Sequence, residues 1–375
     1  MRRTWRCEEP PGCEGDEGAC SLPPRQSQVW LTQLVWLTSA ARLTCTDLAH
    51  IQPAMRVLDR AVWAPRAALH FERVVDILAP FAGGVDAAAA SSYDRSHPIL
   101  NFLFDYYHFD RRALLRWTPG AGITLDGVSK LRDQKMLWLG NGCAFSRDGH
   151  AVYDAAHASA SVRRNLAGSA EILRNTALRP PRLNCFGLHE WAMLYQTAPA
   201  AAPPSTAFQR LPLRLPQTEL NAVVEAQPLA CTHWDAVRFF TPEAAPLNEI
   251  KPAPARAAQR ELEQPGCVHA NMDLFRWCCK LFPFGSSELL ADTLELALKA
   301  RVLDMRASPY DLAAYAGDGG GFDASPVAIE HESGREEYRR IQASIAHRAV
   351  PLRARLIEEI DGCLESWRES ENGAN

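Results

Sequence analysis

Apolar residues at helical spacing run through most of the chain beyond residue 65, and this periodicity constrains the fold more than any other feature. In the segment APRAALHFERVVDILAPF the apolar positions are Leu69, Val74, Ile77, Leu78 and Phe81. Such three- and four-residue spacing places side chains on one face of an α-helix, whereas a half-buried strand alternates. The pattern returns at 268–281, 286–305 and 333–367, so we predict a mainly α-helical fold.

Local signals divide this helical region. The segment WLGNGCAFSRDGHAVYD, within 136–154, has an Asp-Gly turn between short apolar segments and predicts one β-hairpin. Ser333-Gly-Arg-Glu336 is a capping box at the start of the last helix, and Pro351 predicts a kink in it. With 375 residues, 47% of them hydrophobic, the chain can bury a sizeable core. We expect a single multi-helix domain over 65–375 with a small β-hairpin insertion.

The first 64 residues differ from the rest in composition. The segment CEEPPGCEGDEGAC has neither a helical nor a strand period, so we predict an irregular, disordered N-terminal extension over 1–64. The spacing of Cys7, Cys13 and Cys20 fits no common zinc pattern. The apolar segment VWLTQLVWLTSAARL is too short for a comfortable membrane span, so none is expected.

Charge and cysteine usage limit the possible partners. The formal net charge is −4 and the pI is about 6.3, which excludes a global basic field that would draw the protein onto nucleic acid. DNA binding would need a local patch, for which the candidates are Arg163, Arg164, Arg174 and Arg179. The 11 cysteines lie mostly in apolar runs, which favours reduced thiols in an intracellular protein, cytoplasmic or organellar.

Three segments each combine a cysteine, a histidine and an acid beside aromatic residues. They contain Cys185, His189 and Glu190; Cys231, His233 and Asp235; and Cys267, His269 and Asp273. Each falls near a predicted helix start, where the partial positive charge of the helix disfavours a protonated imidazole. A neutral imidazole is the form that binds a metal ion or accepts a proton.

One hypothesis is therefore a single His/carboxylate site. Its candidate catalytic carboxylates are Glu190, Asp235 and Asp273. Its possible metal ligands are His189, His233, His269 and His97, with Asp105 as an outer candidate, and such a set suits zinc or iron. The alternative is that each trio is only a helix start, with the acid as a cap and the cysteine as a small buried residue.

Two further sets of residues are candidates for substrate binding. In RVLDMRASPYDL, Arg306 and Tyr310 follow a long helix, and Arg306 could hold a phosphate or carboxylate. Alternatively, Arg306 only satisfies the last helical carbonyls beside Asp304. Trp191 and Trp234 could stack on a planar ligand, or they could belong to the core.

Six segments, in order, resemble a helical family that is common in actinobacterial genomes and is called 3-methyladenine DNA glycosylase. They are HPILNFLFDYYHF, LLRWTPG, NCFGLHEWAMLY, CTHWDAVRFFTPEAAPLN, QPGCVHANMDL and LDMRASPYDL, and the likeness covers about 66–356. The resemblance implies hydrolysis of the N-glycosidic bond of alkylated bases. That reaction needs a flipped base, an aromatic pocket, and a carboxylate that supports the developing sugar cation or activates water.

Three interpretations therefore stay open. A glycosylase-like enzyme needs a basic strip beside an aromatic pocket. A zinc- or iron-dependent enzyme acting on a small molecule needs the three histidines of the trios to converge. A non-catalytic helical binding protein would direct the trios into separate cores.

Overall fold

The computed structural model describes residues 56–90, 93–197, 211–251, 253, 255–316 and 321–373. The predicted extension lies outside the described residues up to residue 55. The described fold begins with a short strand at Arg56, and its first helix begins at Arg60. No helix in these ranges is both long and apolar enough to cross a membrane.

The protein is mainly helical, as predicted. Its α-helices in the described ranges are α1 (Arg60–Ala82), α2 (Val85–Ala89), α3 (Arg111–Leu114), α4 (Lys130–Asp133), α5 (Ala160–Ala177), α6 (Leu188–Ala192), α7 (Gln217–Ala226), α8 (Trp234–Val237), α9 (Gln259–Leu262), α10 (Val268–Leu281), α11 (Ser287–Ala307) and α12 (Glu332–Gly373). A short π-helix spans Phe102–Tyr106. Short 3₁₀ segments lie at Ala155–His157, Ala245–Leu247, Arg256–Ala258 and Ala313–Tyr315.

A small four-stranded sheet packs beside the helices. Its strands are β1 (Arg56–Leu58), β2 (Ile123–Leu125), β3 (Cys143–Phe145) and β4 (Ala151–Tyr153), in the order β1-β2-β4-β3. The β3–β4 hairpin is the predicted one. The parallel pair β1–β2 was not predicted, because three-residue strands are too short to show a period. The sheet has its own small core, which includes Trp63, Trp117 and Tyr153.

Helices α10 and α11 form the centre of the main core, packed against each other and against α12. Of the 14 residues of α10, 11 are buried, and so are 15 of the 21 residues of α11. A helix buried on nearly all sides must also carry its polar residues inside the protein. His269 and Asp273 on α10, and Arg301 and Asp304 on α11, are therefore core residues.

The three Cys-His-acid trios occupy the starts of α6, α8 and α10. His233 is the residue that caps α8, Cys267 is the one that caps α10, and His189 lies in the first turn of α6. Before α6, Gly187 adopts a left-handed backbone conformation (φ 73°) that residues other than glycine rarely adopt. This turn places Cys185 beside the helix that follows it.

Candidate functional site

The three trio histidines meet at one place. The ring centroids of His189 and His269 are 4.5 Å apart in an edge-to-face arrangement. The rings of His233 and His269 are stacked, with centroids 5.1 Å apart and planes inclined by 13°. All three side chains are buried. Because they come from α6, α8 and α10, the convergence is a product of packing and not of sequence proximity.

A buried ionic network supports the centre from α11. Arg301 donates to Glu190 at 2.7 Å and to Asp304 at 2.6 Å. The Oδ1 atom of Asp304 lies 2.6 Å from Nε2 of His189, so the imidazole donates to a carboxylate. Arg301 and Asp304 are fully buried. Buried charged groups are tolerated when they are paired and hydrogen-bonded, as these are.

On the other side, His233 lies between two carboxylates. Its Nδ1 is 3.7 Å from Oε2 of Glu263, and its Nε2 is 3.8 Å from Oδ2 of Asp273. Asp273 also accepts a hydrogen bond from the Tyr107 hydroxyl at 2.8 Å and one from Arg276 at 3.3 Å. The carboxylates are thus held in place by second partners, which is typical of acids that hold or orient a ligand.

The environments of the centre push its titratable groups in different directions. Burial, reinforced by the positive charge of His189, lowers the pKa of His269 well below its ordinary value. Burial raises the pKa of Glu190, although Arg301 opposes it. The pKa of Asp235 is lowered, because Arg276 and Tyr106 outweigh the effect of burial. The site therefore combines a neutral imidazole with carboxyl groups of opposite tendency, a pattern found where acid–base chemistry occurs.

These groups form the floor of a cleft with aromatic walls. The floor is lined by Glu190, His233, Asp235, His269, Asp273 and Arg301. Phe102, Tyr106 and Phe239 line the walls, and the first two are the ends of the π-helix, with rings stacked 5.0 Å apart. The free space is ≈ 20 Å³, which is room for about one water molecule or ion. A larger ligand would need the aromatic side chains to move.

Three buried polar atoms of the floor have no hydrogen-bond partner within the described part of the chain. They are Oε2 of Glu190, Nδ1 of His233 and Nδ1 of His269. Leaving such a group unpaired costs about 1–3 kcal/mol, so native proteins do it rarely. The three atoms mark the floor as a place for a ligand or a water molecule.

Cationic side chains gather next to the cleft, around two tryptophans. Arg238 and Arg256 lie over the Trp234 ring at 5.3 and 5.9 Å. Lys280 lies over the ring of Trp277 at 4.4 Å. Burial, together with the repulsion from neighbouring arginines, lowers the pKa of Lys280 to about 8. These four cations (Arg238, Arg256, Arg276 and Lys280) are here called the basic patch. Arg238 and Arg276 pair with Asp235, so Arg256 and Lys280 supply the excess positive charge of the patch.

The structure brings six of the predicted site residues together and places the others elsewhere. Glu190, Asp235, Asp273, His189, His233 and His269 belong to the centre described above. His97 instead packs against Phe81, Tyr315 and Phe322, and its Nδ1 accepts from the backbone of Ile99. Asp105 pairs with Arg95.

The predicted substrate-binding residues do not line the cleft. Trp191 is fully buried and donates to the carbonyl of Ala307 at 2.8 Å. The ring of Trp234 lies beneath Arg238 and Arg256 of the basic patch. Arg306 donates to the carbonyl of Ser325 at 2.7 Å, and Tyr310 is a buried core residue.

Sequence reasoning missed several groups that the centre depends on. Arg301 and Asp304 lie in the RVLDMR segment, but nothing in the sequence linked them to Glu190 and His189, which are more than 100 positions away. Glu263 and Tyr107 were overlooked as well. A polar pair spaced three apart inside an otherwise apolar helix, as at 301 and 304, is the signal that could have pointed to them.

Three of the four arginines proposed for a DNA patch have partners within the protein. Arg163 pairs with Glu371 at 2.5 Å, and Arg174 pairs with Asp361. Arg179 donates to the backbone carbonyls of Glu263 and Arg260. Arg164 is exposed. In the basic patch, Arg256 and Lys280 are exposed next to the cleft, which makes this patch the better candidate for a phosphate-binding surface.

Comparison with protein-family models, curated proteins and solved structures finds no match for this chain.

Proposed function

We propose that the protein is a hydrolase that cleaves the N-glycosidic bond of an alkylated base, with the His/carboxylate floor as its catalytic centre. The observation that carries the proposal is the set of unpartnered buried atoms, which includes Glu190 Oε2 and His269 Nδ1, in a water-sized space below aromatic walls. Hydrolysis needs a held water molecule, a group that accepts its proton and a carboxylate near the developing sugar cation.

Each role has a candidate on the floor. The unpartnered Nδ1 of His269 is placed to accept a hydrogen bond from the water molecule and so to orient it. Asp235 and Asp273 both pair with Arg276 at 3.3 Å, and their carboxylate oxygens are placed to stabilise positive charge on the sugar. Glu190, anchored by Arg301, is placed to accept the proton of the water molecule as the C–O bond forms, and burial raises the pKa of this carboxyl group. The alkylated base is cationic before cleavage and leaves as a neutral molecule.

The walls suit a planar group, provided that they open. An alkylated purine stacks on aromatic faces such as those of Tyr106 and Phe239, whose ring centroids are 6.3 Å apart. The closed cleft has no room for a base. The π-helix that carries Phe102 and Tyr106 is a rare, weak form of helix that often occurs at functional sites. We expect it to rearrange when the substrate enters.

The basic patch supports a substrate that carries phosphate. Arg238 is exposed and donates to the Tyr106 hydroxyl at 2.7 Å, so the patch adjoins the wall of the cleft. Arg256 and Lys280 are exposed as well. A base in the cleft would leave its sugar-phosphate near these cations, which favours DNA over a free base.

The test is release of methylated bases from alkylated duplex DNA, single-stranded DNA and free 7-methylguanosine. Wild-type protein should release base from DNA, and Glu190→Gln should lower the rate by about 100-fold or more. Glu225→Gln is the matched control, because Glu225 pairs with Tyr195 at 2.8 Å outside the cleft. Arg256→Ala should weaken DNA binding without changing release from the nucleoside. Absence of release from all three substrates would refute the proposal.

A second candidate, a metal-dependent enzyme, is favoured by one specific arrangement. One ligand atom each from His233, Glu263 and Asp273 lies within 4.8 Å of the others. Nitrogen and carboxylate donors of this kind suit zinc or iron. If the bound metal content of purified protein falls in His233→Ala and catalysis is lost upon chelation, this candidate replaces the first one. The same reaction centre would then act through the metal ion.

A further inference from the structure

Three cysteines converge on the side of His189 that faces away from Asp304. Cys185 precedes α6, Cys231 precedes α8 and Cys267 caps α10. Together with His189 they line a second hollow, separate from the cleft, whose free space is ≈ 10 Å³. All described cysteines are free thiols. A hollow of this size accommodates a single atom or ion and no organic ligand.

The donor atoms have the spacing of a metal site. Sγ of Cys185 is 3.4 Å from Nδ1 of His189. These two atoms and Sγ of Cys231 all lie within 4.8 Å of one another. In tetrahedral zinc sites, with Zn–S near 2.3 Å and Zn–N near 2.0–2.1 Å, sulfur and nitrogen ligands are about 3.6 Å apart. Little movement would be needed to bind the ion.

The surroundings of His189 match those of a zinc ligand. Its Nε2 donates to Asp304 at 2.6 Å, which leaves Nδ1 to face the two thiols. Asp304 is fixed in turn by Arg301 at 2.6 Å. Metal-bound histidines almost always donate their other N–H to a carboxylate or carbonyl, which sets the tautomer and the ring orientation.

We propose that Cys185, Cys231 and His189 bind one zinc ion that joins the starts of α6 and α8. Cys267, which lines the same hollow, is the candidate for a fourth ligand and would tie in α10. Four protein ligands leave no open position, so the ion would have a structural role. This inference does not depend on the reaction proposed for the cleft, because the two hollows have different donors.

The same residues could instead form a Cys-His-Asp arrangement with Cys185 as a nucleophile, since its thiol, His189 and Asp304 lie in line. The size of the hollow and the second thiol beside Cys185 favour the metal. The experiment must separate the two.

We would measure metal in the full chain, purified without an affinity tag or chelator, by mass spectrometry. Wild-type protein should carry about one zinc ion per chain, as a closed thiolate site would. The zinc content of the Cys231→Ser protein should be at least tenfold lower than that of the wild type. His233→Ala and Cys278→Ser are the controls and should keep it, because His233 belongs to the cleft and Cys278 is a buried cysteine at the far end of α10. Loss in His233→Ala with retention in Cys231→Ser would overturn the assignment.

A second readout covers the case in which Cys231→Ser fails to fold. Cobalt-substituted wild-type protein should show thiolate-to-cobalt charge-transfer absorption in the near ultraviolet, which carboxylate and imidazole ligands alone do not produce. Alkylation of Cys185 should be slow until a chelator is added. Zinc-free protein with rapid alkylation of Cys185 would overturn the proposal and favour the nucleophile. Release of methylated bases is measured separately, so either proposal can fail alone.

Discussion

Replacement of Asp304 by asparagine tests whether the buried network holds the centre together. Asp304 accepts two short hydrogen bonds from charged or chargeable groups, His189 at 2.6 Å and Arg301 at 2.6 Å. Hydrogen bonds to charged groups contribute about 1.5–3 kcal/mol each. Asparagine keeps the shape and one acceptor, and Arg301 keeps Glu190 as a partner. We therefore expect the lower end of the sum, a loss of about 3 kcal/mol in the free energy of unfolding.

The assay is thermal and urea unfolding of the Asp304→Asn protein with a chelator present, so that metal binding does not contribute. For a chain of this size, about 3 kcal/mol corresponds to a fall of roughly 4 °C in Tm. Lys299→Gln on the same helix is the control, since Lys299 pairs with Glu295 at 2.7 Å with both side chains partly exposed. It should cost less than about 1 kcal/mol. Equal losses in the two variants would refute the reasoning.

Two further predictions concern other parts of the fold. Burial lowers the pKa of His97 to about 4, and its Nδ1 accepts from the backbone N–H of Ile99 at 3.2 Å; because the unfolded value is about 6.5, stability should be complete above that pH and fall between about 6.5 and 4. In urea titrations at several pH values, His97→Gln should reduce the fall in the free energy of unfolding between about pH 6.5 and pH 4. The same fall in both proteins would show that His97 is not its cause. A Cβ at Gly266 would lie 2.5 Å from the carbonyl oxygen of Arg182, so Gly266→Ala should cost about 2 kcal/mol in unfolding measurements. Gly362→Ala, on α12 with open space around it, should stabilise by about 0.5–1 kcal/mol, and a similar effect of both changes would count against the steric explanation.

Much of the secondary structure follows from local sequence. Helix α10 spans Val268–Leu281, the range that apolar spacing predicts, and the Ser286 hydroxyl caps α11 by accepting from Leu289 N–H at 3.4 Å. The β3–β4 hairpin forms around its Asp-Gly turn. These features can be predicted from the sequence because capping, turn formation and amphipathic periodicity each depend on only a few neighbouring residues.

Other predictions failed for lack of local information. His97 has the same setting in sequence as the trio histidines, since it precedes a helical segment, yet it packs among aromatic rings away from them. Trp191 is next to the cleft residue Glu190 in sequence, but the helix turns it into the core. Neighbours along a helix face different directions, so adjacency to a site residue does not imply membership of the site.

The sequence by itself determined that the chain is mainly helical, where the longer helices run, and that each trio stands at a helix start. Only the tertiary structure decided that the three histidines share one centre, that Arg301 and Asp304 complete it from α11, and that the cysteines meet on its other side. The physical reason is the distance along the chain over which each interaction acts. Periodicity and capping depend on residues three or four apart, whereas burying apolar faces together chooses which distant polar groups must pair inside.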